Sequence, residues 1–484
     1  MNKVLENLEP KEVFKWFEEI NQIPRCSKCE KKISDWLFNF AKERNLEVIQ
    51  DKALNIIIRK NGTNGKENNP IITLQGHMDM VCEKESSVKH DFSKDPIKMK
   101  INGDFIETEG TTLGGDDGIA VAFALALLDS KDIAHPPIEI LITTDEETGM
   151  TGAHNLNPEN IKGKTLINID SEEEGIFLVS CAGGMRENIS LDLEYKESKK
   201  DYRFFEIYIT GLNGGHSGSE IIKQKANANK LMGRVLYEIS KNTKIRLVDL
   251  IGGAKDNAIP RESKAIIAFD EKYFSTIKND FDEIVDIIKK EYYKVDKNIR
   301  IEFKESKEKF KKVIKNSITK KIINIINLIP DGVIRMSDEI EDLVETSNNL
   351  GIIEIKDKKI YFKSASRSSI ESKKDYMHMI FDNIAFLTNS TVQRTAEYPA
   401  WQFKENSKIR NVFIDVYKKM YNKDPEISAI HAGLECGLFK EKLGDIDMIS
   451  FGPNLYDVHT PKEKMSISSV ERSWNFLKNI LKEL

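Results

Sequence analysis

Apolar residues recur at helical spacing over Lys11 to Ile20 and again from about Lys31 to Arg44, so the chain opens with two amphipathic helices. Short apolar runs then take over. Ile56 to Arg59 and Ile71 to Gln75 read as strands separated by the Gly/Asn-rich loop Asn61 to Asn69, and Ile138 to Thr143 and Leu166 to Ile169 read as two more. The Ala- and Leu-rich helix Ile119 to Asp129 falls between two of these strands, where a crossover belongs. This alternation predicts an α/β domain with a mostly parallel central sheet flanked by helices.

From about Arg186 the pattern changes to longer charged strands and amphipathic helices. Arg203 to Thr210, Ala226 to Ile239, Phe274 to Tyr292 and Ile299 to Phe303 form one α+β block. A second block follows, with a helix at Ile318 to Leu328, strands at Ile352 to Ile355 and Ile360 to Ala365, a helix at Ile370 to Phe386 and a strand near Ser390 to Ala396. Two successive blocks suggest an inserted α+β lid domain made of two similar subdomains. The α/β signature returns after Trp401, with a helix at Lys408 to Met420, a strand at Ile446 to Phe451 and a last helix from Ser468 to Leu484. The expected division is therefore 1–186 with 404–484 as one domain and 187–403 as the insert.

The 484 residues carry 73 Lys and Arg against 78 Asp and Glu, a net charge of −5, which gives no reason to expect a nucleic-acid partner. No apolar run approaches the ~20 residues of a bilayer span, and Met1 to Pro10 has no apolar leader, so no membrane partner and a cytoplasmic location are expected. Five cysteines at irregular spacing argue for reduced thiols rather than disulfides. Cys26 and Cys29 form a CxxC with no second half to complete a zinc knuckle; it reads as incidental to a helix start, with Ser27 as N-cap.

Candidate chemistry gathers just beyond the strands. Ile71 to Gln75 runs into Gly76-His77-Met78-Asp79, which places an imidazole and a carboxylate past a strand's carboxyl end, where open α/β sheets hold ligands. Leu113-Gly114-Gly115-Asp116-Asp117-Gly118 is a glycine-rich turn into a helix. Ile138 to Thr144 ends in Asp145-Glu146-Glu147, Leu166 to Ile169 ends in Asp170, and His459 follows the strand ending at Phe451. Singly, each has an ordinary structural reading: a satisfied histidine, a solvated acidic loop, an Asp N-cap. Together, two imidazoles and four carboxylates are the donor set of a site for one or two divalent metals.

GHMDMV at Gly76 to Val81, TTLGGDDGIAVA at Thr111 to Ala122, TTDEETGMTGA at Thr143 to Ala153, NIDSEEEG at Asn168 to Gly175, GGHSG at Gly214 to Gly218, DNAIP at Asp256 to Pro260 and IHAGLECG at Ile430 to Gly437 occur in that order. In these motifs, from near Ile23 to the C-terminus, the chain resembles the dinuclear aminopeptidase/carboxypeptidase clan of metallopeptidases, in its aminoacyl-histidine (Xaa-His) dipeptidase branch. The resemblance implies that Asp116 bridges two divalent metal ions, Zn2+ foremost with Mn2+ or Co2+ as alternatives. His77 and Asp170 would complete one site, Glu147 and His459 the other. It further implies that Asp79 orients His77, that Glu146 is the general base for a bridging water, and that the Asp116–Asp117 peptide is cis. His216 would donate to the oxyanion from the lid, while Asn257, Arg367 and Gly433, the last in the catalytic domain, would hold the substrate. No role is assigned to His431 or Glu435.

The implied activity is hydrolysis of unblocked dipeptides, β-alanyl-histidine among them, by a cytosolic metallodipeptidase whose partner is a small peptide. A tripeptidase or N-acyl amino acid deacylase would share the ligands, and a non-catalytic scaffold would have lost them. The duplicated lid is compatible with a pseudo-dimeric monomer or a homodimer.

Overall fold

The structure is a computed structural model, and it describes residues 3–484; the first two residues of the segment read for a leader lie outside it. The chain forms two compact units: one comprises the chain up to Ser180 with Phe403–Ala429 and Leu434–Leu484, the other Cys181–Gln402 with Ile430–Gly433. Among the described residues no helix is long and apolar enough to cross a membrane.

The first unit is built on an eight-stranded sheet, here β1 (Glu47–Gln50), β2 (Ile56–Lys60), β3 (Ile72–His77), β4 (Ile138–Thr143), β5 (Thr165–Asn168), β6 (Ile176–Cys181), β7 (Glu426–Ile430) and β8 (Asp447–Ser450). Their spatial order is β1-β2-β4-β3-β5-β8-β6-β7. β4, β3, β5 and β8 run parallel at the centre, while β1 and β2 on one side and β6 on the other are antiparallel to their neighbours. Every residue of β3 and β4 is buried, as expected of strands covered on both faces. The helix Gly115–Asp129 is apolar nearly all round because it is enclosed: Phe123 meets Trp474 of the last helix, Ile467–Glu483, with ring centroids 5.3 Å apart. Phe177, Phe413, Phe451 and Phe476 interlock, with Phe177 and Phe476 stacked at 5.3 Å. That cluster is why the C-terminal segment rejoins the first unit.

The second unit repeats one motif twice. Tyr202–Thr210, the helix Ala228–Ser240, Arg246–Gly252, Ser263–Asp270, the helix Phe274–Glu291 and Arg300–Glu305 read βαββαβ. Gly183–Asp192, the helix Asn316–Leu328, Val344–Lys356, Lys359–Ser368, the helix Glu371–Thr388 and Thr391–Tyr398 read the same, with the whole first copy inserted after the opening strand. Each copy has the order fourth-first-third-second, and the two second strands meet edge to edge through Gly252 and Ile353. One continuous sheet results, its helices sharing a core that includes Met232, Leu236, Ile322 and Ile326. The duplication read from the sequence blocks is visible in this topology.

Several local expectations need correction. The first unit ends at Ser180 rather than 186 because Gly183–Asp192 is a strand of the second unit's sheet, between Lys359–Ser368 and Thr391–Tyr398. Gly433, expected with the catalytic segment, groups with the second unit. Cys26 and Cys82 are disulfide-bonded across a sequence separation of 56, against the expectation of free thiols, while Cys29 is exposed and free. Tertiary packing brings this pair together: Cys26 bridges to Met80 at the exit of β3, which carries Cys82 towards it. Ser27 does not cap the helix Lys31–Glu43, whose N-cap position is Glu30; its hydroxyl donates to Asp79 instead.

Candidate metal centre

Three adjacent parallel strands end at one place. β4, β3 and β5 deliver Glu146 and Glu147, His77, and Asp170 respectively just past their carboxyl ends. His77, Asp116 and Asp170 form one group, and Asp116, Glu147 and His459 another, with the potential ligand atoms of each group within 4.8 Å of one another. Asp116 belongs to both. Its Oδ1 lies 3.1 Å from His77 Nε2 and its Oδ2 3.0 Å from His459 Nε2, so the two carboxylate oxygens face different imidazoles. Asp170 Oδ1 is 3.5 Å from His77 Nε2, and Glu147 Oε2 is 2.9 Å from His459 Nε2.

Local geometry explains these positions. Gly114, at φ +69°, opens the turn ahead of Asp116, and the Asp116–Asp117 peptide is cis. A Cβ on Gly76 would lie 2.4 Å from Asp117 Oδ2, so glycine lets that carboxylate approach and accept the His77 N–H at 3.1 Å. His77 Nδ1 lies 3.1 Å from the Asp79 carbonyl oxygen and 3.4 Å from its Oδ1, leaving Nε2 to face the acids. The Asp79 carboxylate accepts the Ser27 hydroxyl at 2.8 Å and the Glu146 N–H at 3.1 Å, tying the His77 exit to the acidic turn after β4.

Electrostatics mark the same place. Burial disfavours charge on His77, yet Asp116, Asp170 and Asp79 together hold its pKa well above the usual value. Asp116, then Glu147, raise His459 to about 11. Burial raises Asp170 to about 6 and pushes Glu146 well up, with neighbouring acids adding to the effect on Glu146. Among the described residues, Glu147 Oε1 is buried with no hydrogen-bond partner. Crowded carboxylates, two imidazoles and an unpartnered buried carboxylate oxygen fit divalent cations, whose charge would relieve the repulsion.

Sequence reasoning missed a supporting layer. Glu463 accepts from the backbone N–H groups of Leu113, Gly114 and Gly115 at 2.7, 3.0 and 2.7 Å, and Arg25, fully buried, donates to the Gly114 carbonyl at 2.6 Å. Arg25 also donates to the carbonyls of Met78 and Asp79 at 3.1 and 3.2 Å, joining the turns that bear the candidate ligands His77 and Asp116. Beneath them Glu435, unassigned before, accepts from Gln75 Nε2 at 2.6 Å and Thr143 Oγ1 at 2.7 Å, and Asn168 donates to Gln75 at 2.6 Å. These bonds link the ends of β3, β4 and β5; burial raises Glu435 to about 8. The available signal was spacing alone: Glu463 follows His459 by four residues, and Gln75 and Asn168 each precede a candidate ligand by two.

The remaining candidates lie in the second unit. Gly215–His216 pairs with Ala258–Ile259, and Ser217 N–H donates to the Asn257 carbonyl at 2.9 Å, placing His216 and Asn257 on neighbouring backbones. His216 Nδ1 accepts from the N–H groups of Gly218 and Ser219 at 3.3 Å each, so the ring proton sits on Nε2. Burial, reinforced by Arg367, lowers the His216 pKa and keeps the ring neutral, with Nε2–H available as a donor. Arg367 is 6% exposed and donates through Nη1 to the Tyr398 hydroxyl at 2.8 Å. Gly433 lies against the Tyr398 ring.

The profile of Peptidase family M20/M25/M40 matches residues 73–483. A cytosol non-specific dipeptidase of Escherichia coli (strain K12) is 38% identical over 481 residues, 99% of each chain. The crystal structure of an aminoacylhistidine dipeptidase from Vibrio alginolyticus superposes with a TM-score of 0.95 at 37% identity, covering 99% of this chain and 98% of that one. An aminopeptidase of Bacillus cereus, at 16% identity and a TM-score of 0.57 over 98% of this chain and 99% of its own, shares the fold.

Proposed function

The chain belongs to Peptidase family M20/M25/M40, and from that premise we propose that it is a cytosolic metallodipeptidase that hydrolyses unblocked dipeptides, Xaa-His substrates of the β-alanyl-histidine type included. The observation that carries this reading is Asp116, whose two oxygens face two separate imidazoles, each accompanied by a further carboxylate. His77, Asp116 and Asp170 would hold one divalent cation and Asp116, Glu147 and His459 a second, with Zn2+ the expected metal. Bound there, the cations would supply Lewis acidity towards the scissile carbonyl and lower the pKa of water.

The protein's own groups do the rest. Glu146 takes a proton from the attacking water as the water oxygen joins the carbonyl carbon, and passes it to the leaving amine as the C–N bond breaks. Burial suits Glu146 to this task by raising its affinity for a proton. His216 donates from Nε2 to the oxyanion. Asn257 and Arg367 grip the polar ends of the peptide, Arg367 taking the free α-carboxylate with its planar fork, and Gly433 lets backbone N–H groups approach that carboxylate. The relatives' names, a cytosol dipeptidase and an aminoacylhistidine dipeptidase, support the substrate class and the location.

A panel of free dipeptides, tripeptides and N-acetyl amino acids tests the proposal. Dipeptides should show the highest kcat/KM. Faster turnover of tripeptides or N-acetyl amino acids would move the chain to a tripeptidase or deacylase activity, and no turnover with the metals bound would leave only a scaffold.

A further inference from the structure

Tyr398, Gly184, Arg367 and Ser347 stand in one row across four neighbouring strands of the second unit, because Gly184 is opposite both Tyr398 and Arg367, and Arg367 is opposite Ser347. Residues in such register project from the same face. Gly184 leaves a gap in the row. A Cβ there would lie 2.4 Å from the Tyr398 hydroxyl oxygen and 2.5 Å from Cζ, and a Cβ on Gly433 would lie 2.7 Å from Cε2 of the same ring. The tyrosine is thus seated against two glycines, reaching across one strand to Arg367 on the next, where its hydroxyl accepts from Nη1 at 2.8 Å. On the other flank His431 Nε2 lies 2.7 Å from Ser347 Oγ.

Arg367 is buried, and among the described residues no carboxylate pairs with it, while its Nε has no hydrogen-bond partner. A buried cation in that state is costly unless an anion arrives. Its Nη1 bond is to the neutral Tyr398 hydroxyl oxygen. An acid in that place would fix the guanidinium and cancel its charge; a phenol fixes its direction and leaves the charge for the ligand.

We propose that Tyr398, seated against Gly184 and Gly433, is a positioning residue that holds the Arg367 fork for the substrate's α-carboxylate and thereby sets selectivity for an unblocked C-terminus. This rests on the reading of Arg367 as the carboxylate-binding group. Bidentate recognition of a carboxylate requires the guanidinium plane to be held to within about 10–20°. Freed of its anchor, Arg367 would still attract the anion but would present it poorly. The cost should therefore appear in binding of the carboxylate, with little change in the chemical step.

The test compares wild type, Tyr398→Phe, Gly184→Ala and Arg367→Ala on one dipeptide and on its C-terminal amide, with thermal midpoints confirming folding. If the amide is not turned over, its Ki against the dipeptide serves in place of KM. Tyr398→Phe should raise KM for the dipeptide about tenfold, the scale of one charge-assisted hydrogen bond, with kcat within threefold and the amide unchanged within twofold. Gly184→Ala keeps the hydroxyl but fills its seat, and should reproduce that pattern, which covers the case of a poorly folding Tyr398→Phe. If Arg367→Ala is selective for the free acid while the other two variants are silent or affect acid and amide alike, the role of Tyr398 is overturned and that of Arg367 stands. If Arg367→Ala itself affects both substrates alike, the carboxylate reading fails and the positioning role falls with it.

Discussion

The Glu463 carboxylate accepts the backbone N–H of Gly115 at 2.7 Å, across 348 positions of sequence. With the N–H groups of Leu113 and Gly114 at 2.7 and 3.0 Å, it occupies a backbone cradle immediately before Asp116. Glu463 follows His459 by four residues, so one buried side chain fixes the segment bearing His459 to the turn bearing Asp116.

Glu463→Ala should therefore weaken metal binding about 10- to 100-fold, the range for partners that orient metal ligands. Competition with a graded chelator, followed by metal analysis, measures it. Glu463→Gln, which keeps an acceptor, should lose less. Unchanged affinity in both variants would show that the cradle does not hold the ligands.

Glu146→Gln should retain the metal content of wild type and lose about 100- to 10,000-fold in kcat, because it removes the proposed proton carrier and spares Glu147. Metal analysis and initial rates on the same preparation check both halves. Turnover within tenfold of wild type would remove Glu146 from the mechanism.

Chelation should abolish activity, and adding back Zn2+, Mn2+ or Co2+ should restore it, with the relative rates ranking the metals. Because only the folded chain gathers His77, Asp116, Asp170, Glu147 and His459, the apoprotein should also melt at a lower temperature, and the midpoint should rise with metal concentration. Activity surviving exhaustive chelation, with no metal retained, would contradict the proposed chemistry.

His431 gives the pH dependence of stability a definite sign. Burial, then the Arg367 charge, lowers its pKa from the ordinary imidazole value of 6.5 to about 3. The unfolded chain therefore binds a proton there that the folded chain refuses. The associated stability is present above pH 6.5 and is lost as the pH falls towards 3, at up to about 1.4 kcal/mol per pH unit. Chemical denaturation of His431→Asn across that window should show a shallower acid-side slope than wild type; equal slopes would contradict the assignment.

By itself the sequence determined what depends on short-range pattern. Helical spacing placed Lys11–Ile20 as observed, and apolar runs placed Ile138–Thr143, because burying one face or both faces of an element imposes a period visible within ten or so residues. The donor residues were legible for a related reason: a side chain meant for the end of a parallel strand must follow an apolar run directly, as His77, Glu146, Glu147 and Asp170 do. Tertiary structure decided how those ends are held together. Glu463 in its cradle, Glu435 under Gln75 and Thr143, Arg25 between two turns and Cys26 with Cys82 join positions tens to hundreds of residues apart. No local period encodes such pairs. Each is a polar or covalent contact whose partner is chosen only when packing removes the alternatives, and burial then makes that contact costly to leave unmade.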